Sequence, residues 1–112
     1  MGESFIPSSL LGRRHTRFAT QSLVWWQDPQ NSVPLVVCDV SEGGLLCEMS
    51  ESLKMGAQIE LMVESPQCAK VVNVVCSVAH VRQMGKELFL VGLELQKDSP
   101  VHGADWVALF LD

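Results

Sequence analysis

The chain of 112 residues has no tyrosine, only eight lysines and arginines, and no C-x-x-C pair among its four cysteines. Nor does any stretch approach the roughly 18 consecutive apolar residues that a membrane-spanning helix needs. Each absence removes a class of function. Without a long apolar run, no membrane insertion is expected. With 13 Asp and Glu against those eight cations, the net charge is −5. Nucleic-acid binders track phosphates with a basic groove and stack bases on interleaved aromatics, so nucleic acid is not an expected partner. Of the cysteines Cys38, Cys47, Cys68 and Cys76 and the histidines His15, His80 and His102, only Cys76 and His80 stand close in sequence, four positions apart. A structural zinc site normally shows paired ligands at short spacing, so no metal is expected. No nucleophile with a nearby base and no paired carboxylates stand out, so the chain does not read as an enzyme.

What is present is one apolar domain. Hydrophobic residues make up 47% and charged residues 19%, a balance that packs a core and excludes disorder for most of the chain. The N-terminal residues show no basic stretch followed by an apolar run, and position six is Ile6 where a myristoylation signal wants Ser or Thr. A cytoplasmic setting is therefore expected. There the cysteines act as small buried hydrophobes. A disulfide between Cys38 and Cys47, facing across a hairpin, is the alternative.

Patterning predicts an all-β chain. Residues 1–12 mix Ser, Pro and Gly and read as a mobile N-terminal arm. Strands are expected at 22–27, 33–39, 45–49, 57–64, 69–82 and 87–95, separated by clusters such as Asp28-Pro29-Gln30-Asn31-Ser32 and Ser41-Glu42-Gly43-Gly44. The fourth is the clearest: Ile59, Leu61 and Val63 alternate with Gln58 and Glu60, the period of a half-buried strand. Gly92 inside the sixth suggests a bulge or a close backbone approach. Trp25 and Trp26 are consecutive, so one faces in and one out. Met49, Met55, Met62 and Met84 read as core filler. Residues 98–112 form an acidic tail in which Trp106, Leu109 and Phe110 share one side of a short helical turn. Six short strands with little helix point to a small, closed or nearly closed barrel.

The charge is unevenly spread. Residues 1–17 hold three arginines against one glutamate, a balance of +2. Residues 18–112 hold five cations against twelve acids, a balance of −7. Two short patterns accompany this asymmetry: R-x-x-x-R at Arg13 and Arg17, ahead of the first strand, and D-x-S-x-x-G at Asp39, Ser41 and Gly44, between the second and third. Each alone is weak; their order and their β-rich context make the pair specific.

Together they resemble the PilZ domain family of bacterial cyclic di-GMP receptors, over about residues 12–96. Leu45-Leu46, Gly56 and Val91-Gly92-Leu93-Glu94-Leu95 also fit the family's pattern. The resemblance implies a six-stranded antiparallel β-barrel with the ligand across its surface. It divides the chain into an arm (1–12), a PilZ domain (13–97) and a C-terminal tail (98–112), with nothing left over for a second module. It also implies a stand-alone receptor that needs no cofactor, binds cyclic di-GMP and signals to a downstream protein. Some members place a guanine-stacking side chain where His80 stands. The residue before the first arginine, here Gly12, is tied in the family to whether one nucleotide or a stacked pair is bound, and glycine gives no clear signal.

The chemistry of the motifs is consistent with that ligand, which carries two phosphates and two guanines. An arginine fork donates two parallel hydrogen bonds to phosphate or to the guanine O6/N7 edge, and its face stacks on a base. Arg13 and Arg17 suit this role, and Arg14 between them faces either phosphate or solvent. Asp39 is an acceptor suited to the N1–H and N2–H2 donors of guanine. Ser41 donates to phosphate or base, and Gly44 leaves room for a ligand or a tight turn. The blander readings are solubilising arginines, ordinary turn chemistry at 39–44 and a solvated strand histidine at position 80. The competing function is a PilZ-fold interaction module that does not depend on the nucleotide.

Overall fold

The computed structural model describes residues 19–111. The arm, together with Arg13, Arg14 and Arg17, lies outside the described residues. Six strands are formed: β1 (Leu23–Gln27), β2 (Ser32–Ser41), β3 (Gly44–Met49), β4 (Gln58–Ser65), β5 (Lys70–Gly85) and β6 (Leu88–Leu95). A 3-10 turn (Pro66–Cys68) joins β4 to β5, and one helix, α1 (Gly103–Ala108), follows β6. All pairings are antiparallel in the order β1-β2-β3-β6-β5-β4, and β1 also pairs with β4, so the barrel closes and leaves no free edge among these strands.

The interior is what the alternation predicts. Val24, Leu35, Val37, Leu45, Cys47, Ile59, Leu61, Val63, Val74, Cys76, Val78, Val91 and Leu93 point inward and form one core. Trp26 packs against that core, whereas Trp25 faces out and its Nε1 donates to Glu64 Oε1 at 3.4 Å. Met49 is buried, but Met55 is 60% exposed in the turn before β4, so it does not fill the core as expected. Met55 lies in the connector of residues 50–57 between β3 and β4.

The boundaries differ in three instructive places. β2 runs on to Ser41, so the hairpin turn is only Glu42-Gly43 and Gly44 is already the first residue of β3. β5 continues to Gly85, because Val81 still packs on the core and Gln83 still pairs with Phe89. Cys38 is the extra residue of a bulge between Val37 and Asp39, and it is Val37 that opposes Cys47. No disulfide forms among Cys38, Cys47, Cys68 and Cys76.

Helix α1 is too short to be stable alone. It is held by what it buries. Trp106 and Phe110 are fully buried in edge-to-face contact, with ring centroids 5.0 Å apart, at the end of the barrel where β1 begins and β2 ends. Burying two such side chains is worth about 3–6 kcal/mol.

Candidate functional site

The register assembles the site from four strands. Asp39 on β2 opposes Leu46 on β3, Leu46 opposes Gly92 on β6, and Gly92 opposes His80 on β5. These four form one row across the outer face of the barrel, since their neighbours Val40, Cys47, Val91 and Val81 pack toward the core. Three inter-strand steps of about 4.8 Å put Asp39 and His80 roughly 14 Å apart. Both are exposed, Leu46 is half-buried, and Gly92 contributes no side chain, so the row dips at its centre.

Two bulges aim the ends of the row. On β2, the extra residue Cys38 shifts the register so that Asp39 turns outward. Asp39 Oδ1 accepts the Val40 N–H at 2.9 Å. On β5, Ala79 is the extra residue beside Gly92, and it places His80 over that glycine. A Cβ on Gly92 would stand 3.2 Å from the His80 Cβ. The close approach expected at Gly92 is thus its contact with His80.

A second row runs parallel to the first: Ser41, Gly44, Glu94 and Ser77. Ser41 is exposed at the end of β2. Gly44 is buried, and the room left by its missing Cβ is taken by the β6 backbone: a Cβ there would lie 1.9 Å from the Leu93 carbonyl oxygen. Gly43 differs, with nothing within 4 Å of the corresponding point. Of the two glycines, Gly44 alone is required for β3 to pair with β6.

Asp39, Ser41, Gly44 and His80 therefore come together on one face. Arg13, Arg14 and Arg17 lie outside the described residues. One further group belongs to the same face and was missed by sequence reasoning. Arg82 is exposed two residues beyond His80 on β5 and opposes Leu90. The period of two counted from His80 was the available signal.

The acids and bases of this face are Asp39, Glu48, Glu94, His80 and Arg82. Glu48 is buried although it points away from the core, on the row adjacent to Leu46. Among the described residues, no cluster of three or more His, Cys, Asp or Glu could hold a metal ion. Also among them, no helix is long and apolar enough to cross a membrane. The arrangement offers a shallow open face with a carboxylate acceptor, a hydroxyl, an imidazole and a guanidinium, which suits binding a flat polar ligand.

The family model described as PilZ domain matches residues 12–110. No curated protein matches the chain.

Proposed function

The chain belongs to the PilZ domain family, whose members are cyclic di-GMP-binding receptors, and from that premise we propose that it binds this nucleotide across the β2-β3-β6-β5 face. The observation that carries the reading is the outward row Asp39–Leu46–Gly92–His80, with Ser41 at its hairpin end. In this reading Asp39 accepts from the N1–H and N2–H2 of one guanine, and Ser41 donates to a phosphate or a base. Gly44 sets the turn that carries them, and His80 stacks on a base above the Gly92 dip. Arg13 and Arg17 grip the ligand from the other side, with Arg14 and Arg82 as further cations for phosphate. Each charge-assisted hydrogen bond contributes about 1.5–3 kcal/mol net. Two or three of them supply about 3–9 kcal/mol, most of the roughly 8 kcal/mol of a micromolar affinity, from which the cost of ordering the N-terminal arm is subtracted. That segment folds over the nucleotide on binding, and the surface so formed is what a downstream protein recognises.

Titration calorimetry with cyclic di-GMP tests the proposal. Wild type is expected to release heat at tens of micromolar protein, the Arg13→Ala, Arg17→Ala double variant to release none, and Asp39→Asn to bind at least tenfold more weakly. Absence of heat for wild type would overturn it in favour of a nucleotide-independent interaction module.

A further inference from the structure

Helix α1 lies outside both motifs, yet its hydrogen bonds run to the D-x-S-x-x-G turn and to Ser22, ahead of β1. The Gly103 N–H donates to the Glu42 carbonyl at 3.0 Å, and Trp106 Nε1 donates to the Gly44 carbonyl at 3.0 Å in a buried setting. These are the carbonyls on either side of Gly43, so the helix grips the Glu42-Gly43 turn at two points. The Gly43 carbonyl is itself taken by the Leu95 N–H at 2.8 Å. At the other end of the helix, the Leu109 carbonyl accepts from three side chains: Ser22 Oγ, Ser65 Oγ at 2.6 Å and Gln67 Nε2 at 3.0 Å. Gln67 Nε2 also donates to Ser22 Oγ at 2.9 Å. Ser22 is buried just ahead of β1, five residues after Arg17. A six-residue helix thus ties the D-x-S-x-x-G turn to Ser22, just ahead of β1.

Resting on the reading of the site given above, we infer that α1 is a positioning element for nucleotide binding, with Trp106 as its positioning residue. The indole holds the Gly44 carbonyl and, through it, the placement of Ser41 and Asp39. The three donors on the Leu109 carbonyl hold the helix against the start of β1. An indole N–H buried without a partner is costly, so its single acceptor fixes the relation of helix to turn.

The test uses the Trp106→Phe variant, which keeps an aromatic ring against Phe110 and removes the N–H. Hydrogen exchange is measured first, without nucleotide. The amides of Gly103 and Leu95, which donate to the turn, are expected to exchange at least tenfold faster than in wild type. The amides of Val78 and Gly56, bonded to the Ala57 and Val78 carbonyls between β5 and the segment ahead of β4, should change much less. Cyclic di-GMP affinity, read by calorimetry, should fall about fivefold or more. Ser22→Ala, a smaller lesion that leaves the rings in place, should move both readouts in the same direction to a lesser degree. Ile59→Val, a destabilising change in the core of β4, should lower the melting temperature while leaving affinity unchanged. Uniform acceleration of exchange across the barrel, or an affinity unaltered in Trp106→Phe, would overturn the inference. Loss of binding in wild type would instead sink the nucleotide reading, while the exchange pattern still decides whether α1 positions the turn.

Discussion

Substituting Gly44 by alanine separates the structural part of the D-x-S-x-x-G motif from its ligand-facing part. The new Cβ would lie 1.9 Å from the Leu93 carbonyl oxygen and 2.9 Å from its carbon, both backbone atoms that cannot rotate away. Relief needs β3 and β6 to separate by roughly 1 Å or more, because carbon contacts settle near 3.5 Å. Overpacking of this kind costs about 1–3 kcal/mol. The movement also stretches two bonds at the same point, Leu95 N–H to the Gly43 carbonyl and Trp106 Nε1–H to the Gly44 carbonyl. Each is worth about 1 kcal/mol, for a total of about 3–5 kcal/mol. Typical domains hold only about 5–15 kcal/mol in all. At roughly 4 °C per kcal/mol for a chain of this size, the melting temperature should drop by roughly 12–20 °C, read by circular dichroism. Gly43→Ala is the matched control: its Cβ meets nothing within 4 Å and its φ is not in the left-handed region. It should melt within about 0.5 kcal/mol of wild type. A Gly44→Ala protein that melts within 2–3 °C of wild type, or a Gly43→Ala protein that falls as far, would refute the close-approach argument.

Other outcomes follow from the same geometry. Ser41→Ala, His80→Ala and Arg82→Ala remove exposed side chains, so each should melt within about 0.5 kcal/mol of wild type while weakening cyclic di-GMP binding in calorimetry. Burial raises the Cys47 thiol far above its ordinary range, with Cys38, Cys76 and Glu48 adding to the rise, and burial pushes Cys76 from 9.0 up to about 12. The folded state thus keeps protons that the unfolded state loses above pH 9.0, so this stability is complete below pH 9.0 and fades as pH rises toward 12. The loss is at most about 1.4 kcal/mol per thiol per pH unit. Urea midpoints measured from pH 8 to 11 should fall more steeply for wild type than for the Cys47→Ala, Cys76→Ala double variant, and equal slopes would contradict the assignment. In the native protein at pH 8, a thiol-alkylating reagent should modify the half-buried Cys68 first, with Cys38, Cys47 and Cys76 reacting only after denaturation. Peptide mapping by mass spectrometry reads the order.

Much of the barrel was legible in the chain because strand formation and strand facing are local. The alternation of Ile59, Leu61 and Val63 names the inward face of β4 without any knowledge of its neighbours. That Trp25 and Trp26 face opposite ways follows from pleating alone, while the fold decides that Trp26 is the one against the core. Strand ends were less legible, because pairing partners decide them. Ser41 and Gly44 look like turn residues in sequence, yet both are paired, and only Glu42 and Gly43 turn. Met55 looked like core filler because composition says nothing of where a connector runs.

Composition and local pattern were enough to establish a β-rich domain of net negative charge, with an arginine pair ahead of the first strand and an acceptor, a hydroxyl and a glycine near the first long hairpin. The tertiary structure alone decided which of these groups share a face. Asp39 and His80 are 41 positions apart and meet on one row only because β3 and β6 pair between them, with a bulge at Cys38 and another at Ala79 setting the phase. Likewise, only the pairing of β3 with β6 gives Gly44 its reason, since the atom that excludes a Cβ belongs to Leu93, far along the chain. Helix α1 gains its role in the same way, through a carbonyl of the motif that no local pattern marks as its partner. The physical reason is common to all three. A side chain's direction follows from the local backbone, whereas its neighbours follow from register between distant strands. Register is chosen by the packing of the whole core at once.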